Sequence, residues 1–169
     1  MRKIAIVFGS TTDNTKNMAT AISSKLTGED VTLIDAAQLN AAIIEPFPNL
    51  ILGTSTWGFG DLQDDWDGHL SVLTDSNLSG KTIALFGLGD SGGYPDTFVD
   101  GMGILYESIQ NKGGKIIGEV STAGYHFDQS RAVQNDHFVG LPLDEDNESN
   151  LSEERIDKWL SVILPQFTE

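Results

Sequence analysis

Lys3-Ile4-Ala5-Ile6-Val7-Phe8-Gly9-Ser10-Thr11-Thr12-Asp13-Asn14-Thr15 is the stretch that decides how this chain folds. Residues 3–8 form an apolar, β-branched run that suits a strand buried on both faces. Gly9 and a hydroxyl-rich turn follow at once. Met18, Ile22 and Leu26 then recur at four-residue steps, the spacing of one helix face. The same rhythm continues: apolar runs at Val31–Ile34, Leu50–Thr54, Thr82–Phe86 and Lys115–Ile117 alternate with helical stretches. The last of these carries Ile156, Trp159, Leu160 and Ile163 on one stripe. Ser152 stands where its N-cap belongs, Glu153 and Glu154 fill the first turn, and Leu151 is placed to staple onto Ile156. The alternation predicts an α/β fold, a doubly wound five-stranded parallel sheet with helices on both faces.

The 169 residues suit one domain spanning 1–169. One stretch breaks the rhythm. Glu119 to Gly140 is too long for a simple connection and too polar for a buried strand, so it reads as an insertion interrupting or following the fifth strand. Its pieces Tyr125-His126-Phe127 and His137-Phe138-Val139 are expected to add small strands and pack their rings together.

Composition excludes several function classes. Ten basic residues against 25 acidic ones give a net charge of −15, which argues against nucleic acid and anionic membrane surfaces as partners. With no cysteine there is no disulfide, thiolate cluster or thiol nucleophile. No apolar run approaches the roughly 18 residues of a membrane span. Met-Arg-Lys followed by Ile4–Phe8 is too short for a signal peptide, so the expected compartment is the cytoplasm. His69, His126 and His137 lack metal-ligand spacing, and no metal is expected.

In an open parallel sheet, ligands bind beyond the carboxyl ends of the strands. Three loops there are unusual. The first, Gly9 to Thr15, offers four hydroxyls and backbone N–H groups at a helix N-terminus, an arrangement for holding phosphate. It lacks the Gly-Lys-Ser/Thr of a nucleotide-triphosphate loop. The second, Thr54-Ser55-Thr56-Trp57-Gly58-Phe59-Gly60-Asp61-Leu62, presents Trp57 among hydroxyls and glycines, placed to offer its face to a flat ligand. Trp66 and Trp159 sit in helical patterns and read as packing residues. The third, Gly87-Leu88-Gly89-Asp90-Ser91-Gly92-Gly93-Tyr94-Pro95-Asp96, matches a dinucleotide fingerprint through Gly87, Gly89 and Gly92. Asp90 would repel a pyrophosphate there, and Glu107 falls inside a helix, so that reading fails. Together the loops describe a phosphate on a polyol tether, ending in a planar ring between Trp57 and Tyr94.

At this point the chain resembles the flavodoxins over essentially its whole length, and the insertion resembles that of the long-chain class. The matching pieces are residues 10–15, Thr56 to Trp66, Gly89-Asp90 with Gly93-Tyr94, and Phe138-Val139-Gly140-Leu141-Pro142-Leu143-Asp144-Glu145-Asp146. The resemblance implies strand order 2-1-3-4-5 and a low-potential one-electron carrier, not an enzyme, using non-covalently bound FMN. It implies that Ser10, Thr11, Thr12, Asp13, Asn14 and Thr15 hold the phosphate. Thr56, Gly58 and Asp146 would lie near the ribityl chain, with Ser55, Phe59 and Gly60 of the second loop also contacting the cofactor. Trp57 and Tyr94 would sandwich the isoalloxazine, Gly89 and Asp90 would approach its pyrimidine edge, and Leu88 and Gly93 of the same loop would also contact the cofactor. Where the family usually has glycine in the phosphate loop, this chain has Asp13.

A receiver domain shares this architecture but needs acids after strands one and three, where this chain has Gly9-Ser10 and Thr54-Ser55. An FMN-dependent NAD(P)H or quinone reductase stays open as an alternative, as does a non-redox binding module. From Thr56 to Gln110 the chain carries nine acids (Asp61, Asp64, Asp65, Asp67, Asp75, Asp90, Asp96, Asp100 and Glu107) against one base, Lys81. Expected partners are therefore redox proteins with basic docking surfaces, met by a monomer.

Overall fold

The computed structural model describes residues 1–169. From the N-terminus it runs β1 (Lys3–Gly9), α1 (Asn14–Lys25), β2 (Asp30–Asp35), a short α2 (Ala41–Ile44) and β3 (Asn49–Thr54). A small hairpin of β4 (Thr56–Trp57) and β5 (Asp61–Leu62) leads into α3 (Asp64–Thr74), β6 (Thr82–Leu88) and α4 (Asp100–Ile109). Then come β7 (Lys115–Ile117), β8 (Val120–Ser121), β9 (Val133–Gln134), β10 (His137–Phe138), β11 (Leu141–Leu143) and α5 (Ser152–Ile163).

The main sheet is parallel in the order β2-β1-β3-β6, with the fifth position shared by two strands. β7 pairs with Thr82–Ala84 of β6, and β11 pairs with Phe86–Leu88. The expected order 2-1-3-4-5 is therefore observed, and residues 118–140 leave and re-enter the fifth strand midway. Of the expected small strands, His137–Phe138 forms one, flanked antiparallel by β8 and β9. Tyr125-His126-Phe127 forms none. Tyr125 and Phe127 nonetheless each pack on Phe138, and all three rings surround Phe98, with ring centroids 5.1–6.3 Å apart. The β9–β10 turn places Asn135 and Asp136 at positive φ, as a two-residue hairpin with right-handed strand twist requires.

Alternate residues of each strand feed two cores. Ala5, Val7, Leu50, Leu52, Ile83 and Leu85 face α3 and α4, meeting Trp66, Leu73, Met102 and Leu105. Ile4, Ile6, Ile51, Ala84 and Phe86 face α1 and α5, meeting Ile22, Ile156, Trp159 and Ile163. Each buried Val, Leu, Ile, Phe or Met side chain among them contributes roughly 1.5–3 kcal/mol. The two tryptophans read as packing residues are buried, and each indole N–H finds a carbonyl. Trp66 Nε1 donates to Gly53 O at 2.8 Å and Trp159 Nε1 to Gly118 O at 2.9 Å.

One expectation is corrected. Ser152 does not cap the last helix. A 3-10 turn (Ser149–Leu151) runs straight into α5, so Leu151 N already bonds Glu148 O at 2.9 Å. Ser152 is buried as the first helical residue, and its hydroxyl donates sideways to Glu145 Oε1.

Candidate functional site

Parallel strands end together, so the loops after β1, β3 and β6 converge on one edge of the sheet. Because those strands lie side by side, the loops stand in that order along the edge. A cavity of about 350 Å³ lies among them.

Thr11, Thr12, Asn14 and Thr15 of the first loop line it, whereas Ser10 and Asp13 do not. Ser10 closes the turn instead, its Oγ accepting from Lys16 N at 3.3 Å. Asp13 adopts the left-handed backbone at the start of α1 (φ 69°, ψ −6°), and its side chain makes no capping bond. Asp tolerates that region better than most residues with a Cβ, and the loop keeps a free carboxylate.

Ser55, Thr56, Trp57 and Gly58 line the cavity from the second loop. The β4–β5 hairpin pairs Trp57 with Asp61, and Trp57 Nε1 donates to Ser55 Oγ at 2.8 Å. The indole is thereby fixed while remaining 39 % exposed. Phe59 and Gly60 stand outside the cavity wall: Phe59 is 92 % exposed, and Gly60 packs against Asp100.

The third loop brings Leu88, Gly89, Asp90 and a half-exposed Tyr94 to the cavity. Gly93 does not line it but serves Asp90, its N–H donating to Asp90 Oδ1 at 2.8 Å. Asp146 arrives from the segment after β11. Two wall residues escaped the sequence reading, Thr97 and Glu145. Glu145 adjoins Asp146, so its place was within reach. Thr97 carried only the weak signal of a hydroxyl beyond Tyr94.

The family model for flavodoxin matches residues 6–159. The chain belongs to the flavodoxin family. It is 44% identical over 168 residues to the flavodoxin of Picosynechococcus sp., covering 99% of each chain. It is 41% identical over 169 residues to that of Klebsiella pneumoniae, covering 99% of this chain and 96% of the relative. Among solved structures, the Fusobacterium nucleatum flavodoxin bound to flavin mononucleotide superposes with a TM-score of 0.94 at 33% identity. That match covers 99% of this chain and 100% of the other. The family carries electrons between redox proteins, and in this member no helix is long and apolar enough to cross a membrane.

In this flavodoxin the cavity rim is acidic. Asp90, Asp144 and Asp146 bring carboxylate oxygens within 4.8 Å of one another. Asp144 is fully buried and well supplied with donors: Ser91 N at 3.2 Å, Ser91 Oγ at 2.5 Å and Asn147 Nδ2 at 3.0 Å. The Gly93 N–H, then the Asn147 amide, holds the Asp90 carboxyl below its ordinary range. Asp146 is pushed the other way, first by desolvation and then by Asp90, Asp144 and Glu145. The donor set fits a phosphate-tethered planar ring, with hydroxyls along one stretch of the edge and two exposed aromatic faces along the rest.

Proposed function

We propose that this chain carries single electrons between redox proteins on non-covalently bound FMN, acting as a carrier and not as a catalyst. The observation that supports this most directly is the cavity itself. Its wall begins with Thr11, Thr12 and Thr15 at the N-terminus of α1 and ends with the exposed rings of Trp57 and Tyr94. In this reading Thr11, Thr12, Asn14 and Thr15 receive the phosphate, with Ser10 and Asp13 shaping the loop. Ser55, Thr56, Gly58 and Asp146 lie along the ribityl chain, followed by the loop of Phe59 and Gly60. Trp57 and Tyr94 flank the ring, while Leu88, Gly89, Asp90 and Gly93 meet its pyrimidine edge. FMN supplies one-electron chemistry when bound. The protein's part is to hold the ring, exclude water from its faces and surround it with negative charge. The insertion between β7 and β11 supports placing the chain, as one domain, in the long-chain class.

The charge distribution supports partners with basic docking surfaces. Lys3, Lys81 and Lys115 lie at or next to the starts of β1, β6 and β7, so parallel pairing sets them at the end opposite the cavity. Lys81 is also spent internally, donating to the carbonyls of Ile44, Glu45 and Phe47 at 3.0, 3.2 and 2.6 Å. Nothing between Thr56 and Gln110 therefore offsets the acids of the rim. A monomer in the cytoplasm is the state in which that rim is free to steer a partner.

The experiment is a visible spectrum of the purified chain, then an anaerobic redox titration and a steady-state assay with NAD(P)H alone. Flavin absorbance at one FMN per chain without turnover is the expected result. Turnover would move the assignment to a flavin-dependent reductase, and a colourless protein that refuses FMN would end the carrier reading.

A further inference from the structure

Val99 is a buried, β-branched residue with a left-handed backbone (φ 50°, ψ 32°) at the start of α4. A side chain branched at Cβ avoids that region, so the surrounding structure must hold it there. The holding comes from the insertion. Phe98 N donates to Gln129 O at 3.3 Å. The carbonyl of the Phe98–Val99 peptide accepts from Ser130 Oγ at 2.5 Å. Immediately after Val99, Asp100 Oδ1 accepts from Arg131 N at 2.7 Å. Four residues before it, Pro95 O accepts from both Asp128 N (2.9 Å) and Gln129 N (3.0 Å).

The same four residues are themselves anchored. The Arg131 guanidinium grips Glu107 of α4 in a bidentate pair, with contacts of 2.9 and 2.6 Å. The backbone at Arg131–Ala132 lies so close to α4 that a Cβ on Gly103 would sit 2.7 Å from Arg131 C. Behind them, Phe127 and Phe138 enclose the Phe98 ring. Of the cavity-wall residues, Thr97 stands on the segment gripped in this way and Tyr94 immediately precedes it.

We propose that the insertion, through Asp128–Arg131, is a positioning element for the ring-binding side of the cavity. It clamps Pro95–Asp100 and so sets where Tyr94 and Thr97 meet the flavin ring. The residues act through the backbone of the third loop and do not touch the cavity themselves. Ser130 is the critical member, because its hydroxyl bonds Phe98 O and also accepts from Ala132 N at 3.1 Å. The inference rests on the FMN-carrier reading and adds to it a job for the inserted segment. It also implies a division of labour, since the phosphate loop after β1 shares no hydrogen bond with this brace.

The test uses the full-length chain, freed of flavin and titrated with FMN, with lumiflavin (the ring without its phosphate tether) and with inorganic phosphate. Ser130→Ala should raise the dissociation constants of FMN and lumiflavin together, by about fivefold, the worth of one lost hydrogen bond. Its phosphate affinity should stay that of the wild type. Ser130→Thr keeps the hydroxyl and should restore ring binding. Glu107→Gln, which weakens the anchor from the α4 side, should shift lumiflavin binding the same way to a smaller extent. Wild-type lumiflavin affinity in both Ser130→Ala and Glu107→Gln overturns the inference, and so does a phosphate affinity that falls in step with the ring's. A wild-type chain that binds neither flavin removes the carrier reading and this inference with it. Binding by the wild type with unchanged variants removes the inference alone.

Discussion

Gln63 and Thr11 are joined across the cavity edge, Gln63 Nε2 donating to Thr11 Oγ1 at 3.2 Å. The other end of the same amide caps α3: Gln63 Oε1 accepts from Asp65 N at 3.1 Å and Trp66 N at 3.2 Å. Gln63 is 1 % exposed, so one buried side chain links the hydroxyl loop to the acidic helix. Gln63→Leu should lower stability by roughly 1–2 kcal/mol through the lost cap. It should also weaken FMN binding several-fold by releasing Thr11. Denaturant unfolding and flavin titration check the two effects separately. Lost stability with an unchanged FMN dissociation constant would show that Thr11 needs no such tether.

Asp13 is a free carboxylate in the loop assigned to phosphate. Two like charges 4 Å apart cost on the order of 1–4 kcal/mol, depending on screening. Asp13→Gly keeps the left-handed backbone and removes the charge, so FMN should bind more tightly to the variant. The wild type should gain affinity as salt rises, and the variant should gain less. Equal dissociation constants for the two proteins, measured by fluorescence quenching, would contradict this.

Gly58 has φ +53°, and a Cβ there would stand 3.1 Å from Asp61 Oδ2. Glycine changes backbone conformation at this point without the Cβ penalty, and a loop that responds to the redox state of its ligand needs that freedom. Gly58→Val should narrow the gap between the two one-electron potentials in an anaerobic titration. An unaltered gap would show that the loop backbone does not respond.

Asp146 supplies a pH signature. Its folded pKa is raised, first by desolvation and then by the neighbouring acids, so the ionised form opposes folding. At neutral pH the apoprotein of Asp146→Asn should therefore be more stable than wild type. The gain is held to a few tenths of a kcal/mol by the group's exposure. It should disappear as pH falls through the folded and then the unfolded pKa, where both proteins are neutral at this position. Paired melting curves from pH 7 downward test the sign.

Association with a reductase should slow as ionic strength rises, because the acidic rim attracts its partner through solvent. Asp61 and Asp64 are exposed, whereas Asp65 accepts from Gln63 Nε2 at 2.9 Å and would disturb the α3 cap if changed. Asp61→Asn with Asp64→Asn should flatten the salt dependence in stopped flow. Rates that ignore both salt and charge would reduce the rim to a solubility device.

The strands, the alternation of cores and the three cavity loops were legible in the sequence because each rests on local rules. Apolar runs such as Ile4–Phe8 can only be buried, and Ser10–Thr15 can form its turn from its own hydroxyls and amides. The hydrophobic period also placed Trp66 and Trp159 inside and left Trp57 out. Long-range packing decided the rest. Gln63 reads as an ordinary polar residue until α3 folds back against the first loop. Ser152 reads as a cap until the preceding 3-10 turn supplies the carbonyls and frees its hydroxyl. The role of residues 128–131 is invisible along the chain, because their partners, Pro95, Phe98 and Asp100, lie about thirty residues earlier and meet them only when β11 rejoins the sheet. Local propensity determines which segments form elements, but a contact between distant backbones exists only once both cores have closed.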